Sequence, residues 1–362
     1  MKLLIITQKI DQNDDILGFF HRWVEEFAKN CEQVVVIAQF VGAYDLPRNI
    51  EVFSLGKERG RSKARQLINF YKLLFENLSR VDAVFVHMIP LWVVLGALFF
   101  KIYRKKVYLW YVHKSADWTL KLAEKLVEKI FTASPESCRL KSDKIIIIGH
   151  GIDTEKFSIF NFQFSKRRKN SKFKIISAGR IAPAKNYEIL IEAAEILKKR
   201  DFFARGPLRH SDSEASGPAL GWEIKIAGSP ILEKDKIYSE NLKNFVKEKN
   251  LEDKINFVGA IPHKDIAAFY QVGDLFVNFS DTGSLDKAVL EAMAAWLLVL
   301  TSNEAFGNIL SSEYFTSKNP EEIAEKIIML SKSEPDPGLR DFVVKNHNLK
   351  GLITKIVGVI KI

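Results

Sequence analysis

Short apolar runs of strand length recur along this chain, with stretches of helical length and period between them, and no other feature limits the fold as strongly. Residues 3–7, 34–38, 81–87 and 107–113 are such runs in the first half, and 17–29, 63–79 and 91–103 are the helical patterns between them. Strands joined by helical crossovers pair in parallel, and a parallel sheet must be covered by helices on both faces. The expected class is therefore α/β with doubly wound sheets. A chain of 362 residues is long for one core and comfortable for two. The polar, basic run NFQFSKRRKNSK that follows Phe157 supplies a linker. We place one domain at 1–165, a second at 166–345 and a terminal helix at 346–362, the last available to pack back on the first domain.

The second half repeats the pattern and adds chemistry. Residues 275–302, LFVNFSDTGSLDKAVLEAMAAWLLVLTS, read as strand, glycine-bearing turn, helix and strand. In a βαβ unit ligands bind beyond the carboxyl ends of the strands, where a helix N-terminus favours negative charge. Gly283, Ser284, Leu285 and Asp286 stand at that point. Leu290, Met293 and Leu297 should face the sheet, leaving Lys287 and Glu291 one turn apart on another face. A surface ion pair is the plain reading of those two. Against it, Lys before Glu is the poorer order, and a lysine in the first turn opposes the helix dipole by about 0.3 to 1 kcal/mol.

A second cationic departure lies at FKIISAGRIAPAKN, where Arg180 follows a strand and Lys185 precedes a helix. Solvated loop cations explain them plainly; a bound anion such as a diphosphate explains why both departures fall on ligand-side loops. Further strands at 222–227 and 255–258 end in Gly228 and Gly259.

The runs GSLDKAVLEAMA and GRIAPAKN resemble the signature regions of the family 4 retaining glycosyltransferases of GT-B fold. The resemblance implies two Rossmann-like doubly wound domains facing a cleft, with a nucleotide-sugar donor mostly in the second. It implies that Glu291 holds the donor's ribose and that Arg180 and Lys185 neutralise its phosphates. Gly228 and Gly259 become nucleotide contacts, and the turn from Gly283 to Lys287 a donor contact. His113, after the run VYLWYVH, would lie near the donor sugar and join Arg180 and Lys185 as a catalytic residue. Gly18 and His87 are the acceptor-side candidates. Two positions depart from the family. Gly283 stands where a first glutamate is usual, and Trp296 and Leu298 replace a glycine and a proline after the helix. A bulky residue at a position needing positive φ means that the turn differs from the usual one or is strained.

Charge and composition narrow the partners. A net charge of +10 and a pI near 9.3 suit nucleic acid, an acidic membrane surface or a phosphorylated substrate. No RNA-binding signature, zinc-finger spacing or basic heptad appears, so nucleic acid is not expected as a partner. The first loop, QKIDQNDDILGF, carries only Gly18 and lacks the G-x-G-x-x-G of a dinucleotide site. No strand ends in an Asp-x-Asp metal motif, and no metal or cofactor is expected. Two cysteines, Cys31 and Cys138, give no disulfide framework. The five-residue apolar start is too short for a signal peptide, so a cytoplasmic protein is expected. PLWVVLGALFFKIYRKK has an apolar core of about ten residues against the ~20 that span a bilayer, and reads as a buried helix. Its basic, aromatic tail keeps a peripheral contact with the inner face of the membrane as an alternative. Residues 202–221, FFARGPLRHSDSEASGPALG, lack any period and read as a surface excursion.

The expected activity is transfer of a sugar from a UDP- or GDP-linked donor to a hydroxyl of a glycan or glycolipid, with retention of configuration. The alternatives are a nucleotide-sugar or glycan binding protein of the same fold that has lost turnover, and a nucleotide-sugar epimerase.

Overall fold

The computed structural model describes residues 1–157, 172–200 and 221–361. The boundary expected at 165 and residues 202–220 of the irregular segment lie outside them. The chain divides into two compact units. Unit 1 is Met1–Asp153, Pro262–Lys264 and Asn346–Ile362; unit 2 is Thr154–Ile261 and Asp265–Lys345.

In unit 1 the elements run β1 (Lys2–Ile10), α1 (Phe19–Asn30), β2 (Gln33–Val41), β3 (Ile50–Ser54), α2 (Lys63–Asn77), β4 (Ala83–His87), α3 (Pro90–Ile102), β5 (Lys106–Trp110), α4 (Trp118–Leu126), β6 (Lys129–Thr132) and β7 (Ile145–Ile147). The strands lie in the order β3-β2-β1-β4-β5-β6-β7, all parallel. Inward residues of β1 alternate between two cores, Leu3 and Ile5 on one face and Leu4 and Ile6 on the other, as the two-residue period of a strand requires. The first core takes Phe20, Trp23 and Phe27 of α1; the second takes the buried faces of α2, α3 and α4.

Unit 2 repeats the plan with β8 (Phe173–Ala178), α5 (Tyr187–Lys199), β9 (Trp222–Ala227), α6 (Glu233–Glu248), β10 (Ile255–Gly259), α7 (Ile266–Gln271), β11 (Leu275–Asn278), α8 (Lys287–Ala294), β12 (Leu298–Thr301) and α9 (Pro320–Leu330). Its sheet order is β10-β9-β8-β11-β12, again parallel throughout. Helix α10 (Pro337–His347) follows, and α11 (Leu349–Lys361) belongs to unit 1, where Leu352, Ile353 and Ile356 enter the core of α1. Within unit 1, His347 Nδ1 accepts from His150 N at 2.9 Å and its carbonyl from Ile152 N at 2.8 Å.

Three expectations need correction. β1 runs on to Ile10, so the first loop is 11–18 rather than 8–19; β2 pairs with β1 as far as Ile10↔Val41 and keeps it extended. β5 stops at Trp110, three residues short of His113, because β6 is short and ladders it only over Tyr108–Trp110. His113 is therefore exposed on a loop, its Nδ1 accepting from Ser115 N at 3.1 Å. α3 is not wholly buried: Leu98 and Ile102 are 66% and 65% exposed on its outer side. Among the described residues no helix is long and apolar enough to cross a membrane.

Candidate functional site

The candidate donor-side residues of unit 2 lie on loops that leave the carboxyl ends of its strands or, for Lys287 and Glu291, in the first turns of the helix that follows, as parallel topology dictates. The chain leaves β8 through Gly179 at φ +148 and leaves β9 through Gly228 at φ +146. A Cβ on Gly228 would stand 1.8 Å from the Gly179 carbonyl oxygen, so only glycine lets these two strand ends approach. Gly259 closes β10, and its carbonyl accepts from Gly228 N at 2.8 Å.

Arg180 follows Gly179 with its side chain 43% exposed, and its Nε lies 3.8 Å from the buried carboxylate of Asp235 at the start of α6. Lys185 is drawn further in. Its Nζ donates to both oxygens of Asp286, at 3.1 and 2.8 Å, across 101 residues of sequence. Asp286 also accepts from Asn278 Nδ2 at 3.0 Å and Ser280 Oγ at 2.5 Å. Burial works against charge on Asp286; Lys185, Ser280 and Asn278 outweigh it and hold the carboxyl below its usual value.

Asp286 is the N-cap residue of α8, yet its side chain makes no capping bond. The carboxylate that would ordinarily cap is turned toward Lys185, and the opening N–H groups of α8 are not capped by it. The preceding turn is fixed by Asn303, buried after β12, whose Nδ2 donates to the Ser284 carbonyl at 3.0 Å. Gly283 in that turn has φ +62, and Leu285 is buried beneath it. A glutamate at 283 would have to adopt a left-handed backbone at a cost of roughly 1 to 2 kcal/mol. The departure at 283 thus belongs to the backbone as well as to the side chain.

Lys287 and Glu291 do form the i,i+4 pair, with Nζ–Oε1 at 3.6 Å, but the pair is not on the surface. Glu291 is buried and its Oε2 accepts from Tyr270 Oη at 3.1 Å. Burial first, then the Glu291 charge, pushes the Tyr270 hydroxyl well above the phenol range, so it stays a donor to the carboxylate. At its other end α8 closes in a Schellman turn, Leu297 N to Ala292 O and Trp296 N to Met293 O, each at 3.1 Å. The usual turn is therefore kept with Trp296 at φ +67, where glycine is favoured, and the strain is real. The Arg340 guanidinium lies 5.5 Å over the Trp296 ring and donates to the Ala294 carbonyl.

Unit 1 carries the other candidates. His87 ends β4, is buried, and pairs its Nδ1 with Thr7 Oγ1 at 3.2 Å while its ring stacks on Phe20 at 3.9 Å. The next residue, Met88, has φ +66, a strained exit beside the strand end. Gly18 is the last residue before α1, and a Cβ there would stand 2.3 Å from the Asp14 carbonyl oxygen. Tyr270, Asn303, Asp235 and Asn278 were not expected from the sequence. Tyr270, Asn303 and Asp235 meet Glu291, Ser284 and Arg180 across turns of the fold that no local spacing marks, and Asn278 reaches Asp286 from the strand before the turn. Among the described residues no three His, Cys, Asp or Glu side chains gather as a metal site would need.

The model of the glycosyl transferases group 1 family matches residues 158–347, just over half of the 362. Mannosylfructose-phosphate synthase of Agrobacterium fabrum is 28% identical over 164 residues, 44% of this chain and 33% of that protein. D-inositol 3-phosphate glycosyltransferase of Paenarthrobacter aurescens is 25% identical over 167 residues, 44% of this chain and 35% of that one. The chain thus spans about a third of the length of these curated relatives. Whole-chain structural likeness extends to Anabaena HepE in complex with UDP and glucose, at TM-score 0.73 and 15% identity over 100% of this chain and 99% of that one. Sucrose-phosphate synthase of Thermosynechococcus elongatus gives 0.72 at 13% identity, covering 99% and 98%. The fold is GT-B, two Rossmann-like α/β units, and the chain belongs to the glycosyl transferases group 1 family.

Proposed function

We propose that this chain is a retaining glycosyltransferase of family 4 that moves a sugar from a nucleoside-diphosphate donor, UDP- or GDP-linked, to a hydroxyl of a glycan or lipid-linked acceptor. The observation that carries this reading is that Arg180, Lys185 and the start of α8 all stand where the chain leaves the carboxyl ends of unit 2 strands, with Lys185 held to Asp286 at that start and Glu291 buried one turn into α8. Glu291, fixed by Tyr270, is a carboxylate suited to two ribose hydroxyls. As the sugar departs, negative charge grows on the diphosphate, and fixed cations with helix N–H groups aimed at it lower the barrier. Gly228 and Gly259 let backbone come close to the nucleotide. His113 serves the donor sugar, and Gly18 and His87 the acceptor. The cations are supplied by the chain, so no metal ion is required. UDP and glucose bound to the Anabaena structure support the donor class.

A second reading, a nucleotide-sugar binding protein without turnover, is favoured by one observation: Asp286 already matches the charge of Lys185. The test is in two steps. Stabilisation by UDP, GDP and their sugars selects the donor, since it follows RT ln(1 + [L]/Kd). Release of nucleoside diphosphate from that donor is then followed with and without hydroxyl acceptors. Acceptor-dependent release is expected; donor binding with no release for any acceptor overturns the transferase in favour of the binding protein.

A further inference from the structure

The outer layer of unit 1 carries a feature that sugar transfer does not use. α2, α3 and α4 lie side by side over one face of the seven-stranded sheet: their inner faces enter a single core, and the Tyr71 and Phe99 rings stack at 5.3 Å where α2 meets α3. Their outer faces carry large exposed apolar side chains where a soluble helix is ordinarily polar. Ile68 and Phe75 of α2 are 69% and 67% exposed, Leu98 and Ile102 of α3 nearly as much, and Trp118 of α4 69%. The spacing is helical on each: Ile68 and Phe75, Leu98 and Ile102, and Trp118 with Leu122 and Leu126 lie on one face of their helix. Exposed cations are interleaved within the same faces. Lys72 lies between Ile68 and Phe75, Lys101 beside Ile102, and Lys121 and Lys125 beside Leu122 and Leu126. The exposed carboxylates of these helices are few, Glu76 and the N-cap Asp117.

We infer that this three-helix face docks on an anionic lipid bilayer, apolar side chains entering the acyl boundary and lysines reaching lipid phosphates. The mixture discriminates between occupants. Protein interfaces concentrate aromatic residues and arginine at their centres and deplete lysine, whereas a lipid interface accepts lysines among aliphatics because their stems lie in the apolar layer and their ammonium groups reach the headgroups. Charge complementarity selects an anionic surface, since the faces are basic and the chain carries a net +10. No described helix is long and apolar enough to cross the bilayer, so the contact is interfacial. None of the unit 2 donor-side residues takes part, so this inference stands or falls apart from the donor reading.

Flotation of the full chain with vesicles tests it, one set of phosphatidylcholine alone and one an equal mixture with phosphatidylglycerol. The protein should float with the anionic vesicles, stay behind with the neutral ones and be released by salt. Leu98→Glu with Ile102→Glu, and separately Lys101→Glu with Lys121→Glu and Lys125→Glu, should each weaken partitioning by about tenfold or more. Both sets replace exposed residues, and unchanged thermal midpoints would show the fold intact. Emission from Trp118, taken as the difference from Trp118→Phe, should shift to the blue on anionic vesicles. No flotation with either vesicle, flotation indifferent to both variants, or a concentration-dependent self-association abolished by Leu98→Glu would overturn the inference, the last by assigning the face to a second copy of the chain.

Discussion

Both units build the same parallel core, with outer strands wound in opposite directions from a central pair, β1 and β4 in one and β8 and β11 in the other. They use the carboxyl ends of those central strands in opposite ways. In unit 2 the ends are charged and compensated: Lys185 against Asp286, Arg180 near Asp235, Lys287 near Glu291. In unit 1 the corresponding place holds His87 and Thr7 among Phe19, Phe20 and Trp23, with rings where unit 2 has ions. The outer helices differ as well, apolar and lysine-studded in unit 1. The lesson is that topology sets where a site can be and the loop residues set which chemistry it holds. A site of matched charges is suited to an anion whose charge grows; an aromatic box around an imidazole is suited to sugar rings and hydroxyls.

Breaking the ion pair of unit 2 should have the largest effect. Lys185→Ala leaves Asp286 charged and mostly buried with no cation, and should destabilise by roughly 3 kcal/mol, the lower end for a broken buried pair. Adding Asp286→Asn removes the orphaned charge and should restore most of the loss in a denaturant or thermal titration. Equal stability of the single and double variants would mean that the pair is solvent-screened and that the contrast between the units is overstated.

On the unit 1 side, His347 offers an effect of similar size that depends on pH. Burial, with Lys355 nearby, lowers its pKa from 6.5 to about 4, and it accepts the His150 N–H only when neutral. A depressed value means that the unfolded chain takes the proton first. Stability is therefore full above 6.5 and is lost as pH falls toward 4, by roughly 3 kcal/mol at 1.36 kcal/mol per unit. Thermal midpoints measured across that window should show the loss in wild type and a flatter profile in His347→Asn.

Glu291→Gln comes next. On the proposed role of Glu291 as the ribose ligand, it should weaken nucleoside diphosphate binding by roughly 1.5 to 3 kcal/mol, about tenfold or more, because charge-assisted bonds would become neutral ones. Calorimetric affinities equal to wild type would remove Glu291 from the donor site and leave it a buried partner of Tyr270.

The smallest effect is expected at Trp296. Replacement by glycine relieves about 1 kcal/mol of left-handed strain but loses the Arg340 contact, so the net change in stability should stay within about 1 kcal/mol of zero. A larger loss would show that the ring, rather than the turn, holds α8 in place.

These elements differ in how far the sequence reveals them. The β11–α8–β12 unit was legible because its apolar runs, glycine turn and helix formers are contiguous. The loop cations Arg180 and Lys185 were legible as departures from the dipole rule. β3, β6 and α4 were not expected: IEVFS and KIFT are short, and WTLKLAEKL has too few turns to establish a period. The plain reading of Lys287 and Glu291 as a surface pair failed because spacing places a pair on a helix face and cannot say whether another helix covers it; here Tyr270 does. Least legible was the Lys185–Asp286 contact, which the β8 and β11 pairing creates between residues 101 apart.

The central claim, that unit 2 is built to stabilise a departing diphosphate, is tested most directly by steady-state release of nucleoside diphosphate from the stabilising donor by wild type and Arg180→Ala. Arg180 is half exposed and 3.8 Å from Asp235, which keeps its bond from Leu232 N, and a wild-type thermal midpoint in the variant would show the fold intact. If it acts on charge that grows in the transition state, kcat should fall by about 10² while KM rises only modestly, with or without a metal chelator present. An Arg180→Ala variant that loses donor affinity with kcat unchanged, or a wild-type rate abolished by the chelator, would contradict the account.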